Sequence, residues 1–245
     1  MRVLEGFFNK KSKKLHEGDV VIISSKIVAL SQGKVVDLRT VRPGKMAQKM
    51  KRSRYGLGVE DPRMVELVLR EADIVLPGSM MMAIKNNIII PSGGIDRSNA
   101  PSGRVILWPD KPFHAAQNIL KKLKEKFRLK KLGVVICDSS CRPLRWGTSG
   151  IAIGWAGFEG VQDIRGQKDI YGKRLRHTKK AVADNLASAA LLLMGEAKER
   201  VPVVIARGAP AKFTNRMQKT GEIFVSPEKC LFGGIYSERF KKLLR

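Results

Sequence analysis

The amino-acid sequence predicts a fold that mixes helices and strands, in the α/β or mixed α+β class. Short apolar runs typical of buried strands alternate with segments whose apolar residues recur at helical spacing. The 245 residues are enough to bury a substantial core, and 43% of them are hydrophobic, as in a globular protein. Because no internal repeat or low-complexity linker divides the chain, we predict one domain over residues 1–245, beginning with a short basic lead over 1–17.

The charge of the chain favours anionic partners. It carries 47 Lys and Arg against 22 Asp and Glu, a net charge of +25, which attracts nucleic acid, nucleotides or anionic cofactors. The excess is spread along the chain, as in a solvated basic surface, so charge alone does not choose between these partners. No run of eighteen apolar residues predicts a membrane span, and the amino terminus lacks a secretory h-region. Three cysteines make no disulfide framework, so we expect a cytoplasmic protein.

The first two strands are predicted near the amino terminus. Residues 18–30 open with a buried-strand pattern, and residues 33–38 are predicted to form its partner strand. The first strand ends on Ser24, Ser25 and Lys26, two hydroxyls and an ammonium that suit a phosphate. A strand that simply leaves the core through polar residues has the same pattern.

Helical patterns follow at five places. Residues 42–58 are basic and predict a short exposed helix or a loop, and the next helix has Asp61 as its cap and Pro62 at its first position. Residues 112–127 predict an amphipathic helix with lysines on its outer side. Residues 182–195 predict a further helix, stopped by its final glycine. The residues expected to face inward in that helix are Leu186, Ala189, Ala190 and Leu193. The tail, 233–245, predicts a terminal helix.

A glycine-rich loop over 92–103 separates two strands predicted within 86–109. It contains Asp96 and Asn99 among small residues. Glycines let a backbone approach a ligand closely, and Mg²⁺ prefers carboxylate and phosphate oxygens. An Asx-type turn, in which both side chains satisfy their own backbone, has the same signature. The loop is a candidate metal site with that alternative open.

The stretch 133–195 carries the largest set of chemical groups. An apolar strand over 132–137 is predicted to end on Asp138, followed by Ser139, and a glycine-rich segment with arginines comes next. The charged residues of that segment are Arg142, Arg145, Asp163, Arg165 and Asp169. Carboxylates at strand ends with arginines nearby suit Mg²⁺-assisted phosphoryl transfer, which depends on positioning and charge neutralisation. A later strand, 201–208, ends in Arg207, a further candidate anion contact.

Several motifs in order resemble one known family. They are GDVVIISSKIV, GGIDRSN, VVICDSSCRPLRWG, AIGWAG, DIRGQKDIYGKRL and ADNLASAALLLMG. Their order and spacing over residues 18–208 resemble the coenzyme F420:L-glutamate ligase family, the F420-0 gamma-glutamyl ligases. The resemblance implies a gamma-glutamyl ligase-like fold in an intertwined homodimer. It also implies GTP- and Mg²⁺- or Mn²⁺-dependent addition of L-glutamate, through amide bonds, to the deazaflavin precursor of coenzyme F420, via an acyl phosphate.

The resemblance also assigns roles to single residues. Asp96 and Asp138 match the metal-binding aspartates, and Ser139 matches the hydroxyl beside the second. The residues expected to act in catalysis are Asp96, Asp138, Arg142 and Arg145. The residues expected to bind the nucleotide or another substrate are Ser25, Lys26, Asn99, Arg165 and Asp169.

Two alternatives stay open. Leu30 stands where the family carries lysine and Cys141 where it carries glycine, which would suit a related amide ligase with another carboxylate substrate. The net charge would also suit a nucleic-acid-binding protein with a decayed site. Retention of Asp96 and Asp138 favours an enzyme over that last interpretation.

Overall fold

The computed structural model describes residues 14–50, 61–76, 81–226 and 229–232. The chain divides into two compact units, the first comprising residues 1–40 and 94–218 and the second comprising residues 41–93 and 219–245. Helices and several sheets occur together, which confirms the mixed α/β class. The prediction of a single domain over the whole chain stays a prediction.

Five helices and eleven strands are found in the described residues. The helices are α1 (Ser25–Ser31), α2 (Lys45–Met50), α3 (Pro62–Glu71), α4 (Pro112–Phe127) and α5 (Val182–Met194). The first six strands are β1 (Asp19–Ser24), β2 (Val35–Asp37), β3 (Ile74–Val75), β4 (Met82–Lys85), β5 (Ile88–Pro91) and β6 (Arg104–Ile106). The others are β7 (Leu132–Cys141), β8 (Thr148–Ala156), β9 (Val161–Asp163), β10 (Lys179–Ala181) and β11 (Val203–Ala206).

A four-stranded sheet, in the order β11-β1-β7-β8, forms the core of the first unit. β1 runs parallel to β7, whereas β11 and β8 are antiparallel to their neighbours. The central strands β1 and β7 are apolar without alternation because both faces are covered, and residues 20–23 and 134–136 are fully buried. Two small antiparallel pairs, β2 with β6 and β9 with β10, complete this unit. The predicted strand at 33–38 is therefore present, but its partner is β6 and not β1.

The hairpin of β7 and β8 departs from the predicted strand end. β7 continues through Asp138 to Cys141, because its polar half still pairs with β8. The register shifts by one residue between Ile136 and Cys137, a β-bulge just ahead of Cys137 and Asp138. The expectation that the strand ends on Asp138 is therefore wrong, and this carboxylate lies within a hairpin.

Helix α5 packs against β8 and β7 on a stripe of small residues. Gly150 of β8 lies against the backbone of α5, where a β-carbon would come within 2.3 Å of the carbonyl oxygen of Ala187. Such close approach leaves room only for small side chains, so Ala183, Ala187 and Ala190 are buried. The predicted inward face is correct for Ala190 but wrong for Leu193, which is exposed, and for Ala189. The helix ends at Gly195, as predicted.

The second unit contains α2, α3 and the antiparallel sheet β3-β4-β5. Asp61 caps α3 by accepting a hydrogen bond from the amide of Arg63, and Pro62 occupies the first turn, as predicted. Met64, Leu67 and Val68 are buried and form the apolar face of α3. The terminal helix predicted for 233–245 lies outside the described residues. Among the residues that the structure describes, no helix has the length and apolar character needed to cross a membrane, and the cytoplasmic location stays a prediction.

Candidate active site

The site begins where two parallel strands run side by side. Ser24, the last residue of β1, pairs in register with Cys137 of β7. The chain enters α1 directly after Ser24, so Lys26 in the first turn comes near Asp138, the next residue of β7. Burial raises the pKa of Asp138 overall, and the positive charge of Lys26 acts in the opposite direction. The hairpin therefore brings Asp138 to the end of β1, although β7 itself does not end there.

A loop of the same unit adds the second carboxylate. The backbone of Asp96 is held against β6 by two hydrogen bonds with Ile106, each 2.9 Å long. Oδ2 of Asp96 lies 2.7 Å from Nζ of Lys26, which also donates to Oγ of Ser98 at 3.0 Å. Oδ1 of Asp96 accepts the amide of Ser98 at 2.6 Å, so the Asx-type turn is present beside the ion pair. The Asx-type turn is thus confirmed for Asp96 and wrong for Asn99, whose side chain donates to Ala197, and the metal site at this loop stays a prediction.

Asp138 has an environment that opposes its charge. Burial raises the pKa of this carboxyl, and hydrogen bonds from the Trp108 indole and the Ser139 amide only partly offset the rise. The negative charge of Asp96 raises the pKa of Asp138 further, and the result is a pKa of about 6. Two carboxylates that repel each other in this way favour a bound cation.

A cavity of about 300 Å³ adjoins Lys26. Its polar lining comes from Ser24, Lys26, Asn99 and Arg200, and much of the rest is apolar, including Ile27 and Leu30. Asn99 is held at the rim because its side-chain amide donates to the carbonyl oxygen of Ala197 at 2.9 Å. Apolar walls with a few converging polar groups are typical of small-molecule sites, and this volume is at the small end of their range.

The donor set fits a hard divalent cation better than zinc. Within the described ranges, no group of three or more His, Cys, Asp and Glu side chains is arranged to hold a metal. Mg²⁺ commonly takes only one or two protein carboxylates and completes its shell with water and phosphate oxygens. Asp96 and Asp138 match that requirement, and the hydroxyl of Ser139 is next to the second carboxylate. The expected metal-ligand roles of these three residues stay predictions.

The predicted catalytic arginines lie on an exposed turn. Arg142 and Arg145 belong to the turn between β7 and β8, where Nε of Arg142 donates to Oγ of Ser149 at 3.0 Å. The guanidinium of Arg142 also lowers the pKa of Asp184 on α5, although burial dominates and the pKa of that carboxyl is raised overall. Within the residues that the structure describes, the hydrogen bonds of Arg142 and Arg145 stay in their own hairpin.

Two predicted ligand-binding residues have local partners in the exposed segment between β9 and β10. Nε of Arg165 donates to both carboxylate oxygens of Asp163 at 2.9 Å, which lowers the pKa of Asp163 to about 2. Asp169 accepts the amides of Tyr171 and Lys173 and so shapes its own turn. Ser25, in contrast, is buried at the start of α1, next to the site. The nucleotide-binding roles of Ser25, Arg165 and Asp169 stay predictions.

Sequence reasoning missed three neighbours of the site. Trp108 donates its indole N–H to Oδ2 of Asp138, Ser98 accepts from Lys26, and Arg200 lines the cavity. The only signal for Trp108 was that a buried indole needs an acceptor, which does not say where the acceptor is. Arg207, expected as an anion contact, instead pairs with Asp19 at 2.9 Å.

Comparison with known proteins decides the family. The sequence model described as F420-0:Gamma-glutamyl ligase matches residues 2–208, which include the motifs around Lys26, Asp96 and Asp138. The chain belongs to this family. This confirms the resemblance found in the sequence and makes the protein a member of an amide-forming ligase family.

Curated relatives agree with that assignment over most of their length. A coenzyme F420:L-glutamate ligase from Methanopyrus kandleri is 36% identical over 227 residues, 91% of this chain and 88% of the relative. The one from Methanocaldococcus jannaschii is 38% identical over 204 residues, covering 82% and 80%. A third, from Methanosarcina mazei, is 38% identical over 197 residues, covering 79% and 75%.

Proposed function

We propose that this protein adds L-glutamate to the deazaflavin precursor of coenzyme F420 in a reaction that consumes GTP and requires a divalent cation. The observation that carries the proposal is the cluster of Lys26, Asp96 and Asp138 beside the cavity, in a chain of the F420-0:Gamma-glutamyl ligase family. An ammonium and two carboxylates are the groups that phosphoryl transfer from a nucleotide needs, since one binds phosphate and the others hold a metal.

The proposed chemistry has two steps. A carboxylate oxygen of the acceptor attacks the γ-phosphorus of GTP, giving GDP and an acyl phosphate. The amine nitrogen of glutamate then attacks the acyl carbon, phosphate leaves with the electron pair of the broken C–O bond, and the amine loses its proton to solvent. Mg²⁺ or Mn²⁺, held by Asp96, Asp138 and Ser139, would supply charge neutralisation at the phosphate oxygens.

The residues of the chain have separate proposed tasks. Lys26 binds phosphate oxygens, because its side chain lines the cavity and its ammonium pairs with the carboxylate of Asp96 beside it. Asn99, fixed by its bond to Ala197, contacts the nucleotide from the cavity rim. Arg142 and Arg145 lie on an exposed turn of the first unit. In the proposed homodimer, this turn of one copy lies at the site of the other, where both arginines bind the acidic substrates.

A homodimer is therefore part of the proposal. Two side chains on the β7–β8 turn, Leu144 and Trp146, are fully exposed, and Ile170 and Tyr171 between β9 and β10 are almost fully exposed. Paired large apolar side chains on projecting segments are typical of surfaces that another chain covers.

Turnover tests the proposed activity. The protein is incubated with the deazaflavin precursor, GTP, Mg²⁺ or Mn²⁺ and L-glutamate, and the products are weighed by mass spectrometry. We expect the mass increments of added glutamate residues, and none when GTP or the metal is omitted. If the Methanocaldococcus jannaschii relative adds glutamate under these conditions and this protein does not, the proposed substrate is wrong.

The variant Asp138→Asn tests the assignment of the site. It keeps the shape of the side chain and removes its charge, so we expect kcat to fall at least about 100-fold, as for loss of a key electrostatic group. Asp37→Asn is the matched control, because the Asp37 carboxylate pairs with Arg39 on the surface of the same unit. Full activity of Asp138→Asn, with the control also active, would remove Asp138 from the mechanism.

A further inference from the structure

Trp108 connects the two carboxylates of the site. Its side chain is buried, with 1% of its surface exposed, and its indole N–H donates to Oδ2 of Asp138. The other oxygen, Oδ1, accepts the amide of Ser139 at 2.8 Å. Both oxygens of Asp138 are therefore held, and the carboxylate cannot rotate without breaking two hydrogen bonds.

The same edge of the indole, around Nε1, is packed against the loop of Asp96. A β-carbon on Gly94 would come within 2.5 Å of Nε1 of Trp108, and the φ angle of Gly94 is +77°, in the left-handed region. Gly94 therefore lies directly against the indole ring, two residues before Asp96. Asp96 is itself fixed to β6 by its paired bonds with Ile106, so one buried ring contacts the fixed loop of Asp96 and donates to the carboxylate of Asp138.

We propose that Trp108 is a positioning residue that fixes Asp138 relative to Asp96 and thereby sets the affinity of the site for a divalent cation. The inference rests on the proposed function, in which both carboxylates hold the metal. Partners that hydrogen-bond to metal ligands typically change metal affinity or activity 10- to 100-fold when removed. In this proposal Trp108 acts through its indole N–H and not only by filling space. The critical variant therefore removes the N–H donor and keeps an aromatic ring.

Trp108→Phe makes that change, and Trp155→Phe is its matched control. Trp155 is fully buried too, and its indole N–H donates to Oε1 of Gln218 at 3.3 Å, so the control also deletes one buried indole bond. Mn²⁺ affinity is measured without substrate, by loss of the free-ion signal in electron paramagnetic resonance. We expect about a 10-fold weaker affinity in Trp108→Phe and an unchanged affinity in Trp155→Phe.

Turnover separates positioning from a general loss of structure. With circular dichroism unchanged, Trp108→Phe should need about 10-fold more metal for half-maximal rate while the KM for glutamate stays within about twofold. Equal Mn²⁺ affinity in wild type and Trp108→Phe overturns the inference and leaves the proposed function standing. A wild-type protein that binds no Mn²⁺ overturns both.

A measurement on the wild type covers the case in which Trp108→Phe does not fold. In ¹⁵N-labelled protein the three tryptophans give separate indole N–H signals in NMR spectra. Saturating Mg²⁺ should shift the Trp108 signal, because its acceptor becomes a metal ligand, and leave the Trp155 signal in place. An unmoved Trp108 signal in a sample that binds Mg²⁺ overturns the inference.

Discussion

Asp19, the first residue of β1, shows how a single ion pair holds the start of the central sheet. Its side chain is fully buried, and its oxygens accept two bonds from Arg207 and one from the His16 amide, each 2.8 to 2.9 Å long. Burial raises the pKa of Asp19, but the Arg207 guanidinium and the His16 amide lower it by more. The pair joins residues 188 positions apart, and it ties the start of β1 to the residue that follows β11.

Removing Arg207 should lower the free energy of unfolding by more than removing the charge of Asp19. Arg207→Met leaves a buried carboxylate without its cation and should lower the free energy of unfolding by about 3 kcal/mol, the low end for such pairs because Arg207 is half exposed. Asp19→Asn leaves no buried charge and should cost about 1 to 2 kcal/mol. Urea unfolding at pH 7 measures both, and equal costs would contradict this account.

The same pair gives stability a defined pH dependence. The pKa of Asp19 is lower in the folded state, so its contribution is complete above the unfolded value of about 3.9 and is lost as pH falls through the folded pKa. The difference in stability between wild type and Arg207→Met should therefore shrink below about pH 4. Urea unfolding repeated at low pH checks the sign, and a difference that grows on acidification would refute it.

At the scale of single residues, the sequence predicts which side chains belong to the site better than it predicts their ion-pair and hydrogen-bond partners. Motifs and strand ends indicate Lys26, Asp96 and Asp138, and the structure brings their charges together. Arg207 was expected to bind an anion, because nothing local reveals an acceptor as distant as Asp19. The bond from Trp108 to Asp138 was missed for the same reason, since tertiary hydrogen bonds leave no periodic signal in a sequence.

At the scale of elements, hydrophobic periodicity located most helices and strands, and its failures share a physical cause. α4 and the cap of α3 are found where the pattern predicts them. β7 continues past its apolar half because hairpin pairing with β8 satisfies the backbone of polar residues as well. In α5 the apolar residues are too numerous to define one face, and close contact with β8 selects alanines over leucines.

The contact between β8 and α5 predicts a steric effect at Gly150. Gly150→Ala places a methyl group 2.3 Å from the carbonyl oxygen of Ala187, which belongs to helix backbone and cannot move alone. We expect the free energy of unfolding to fall by about 1 to 3 kcal/mol, the usual cost of overpacking. Gly221→Ala is the control, because a β-carbon there meets no atom within 4 Å. Thermal or urea unfolding compares the two, and an equal effect would rule out the proposed contact.

At the scale of the whole molecule, charge and family membership point to the same class of ligand. A net charge of +25 attracts GTP and glutamate, both anionic, as readily as nucleic acid. The charge therefore agrees with the proposed ligase and adds no evidence for a nucleic-acid partner, which would explain neither the cluster of Asp96 with Asp138 nor the match over residues 2–208.

The exposed apolar turns predict self-association, which can be measured directly. Size-exclusion chromatography with light scattering should give twice the chain mass of 27.2 kDa. Leu144→Ser with Trp146→Ser removes two fully exposed side chains from the β7–β8 turn, so the dimer should dissociate at a higher protein concentration while the protomer keeps its fold. Met46→Gln, a change to an exposed apolar residue of α2, is the control and should leave the mass unchanged. A monomeric wild type at micromolar concentration would show that these turns do not pair two copies of the chain. It would also rule out a site in which Arg142 and Arg145 come from a second copy.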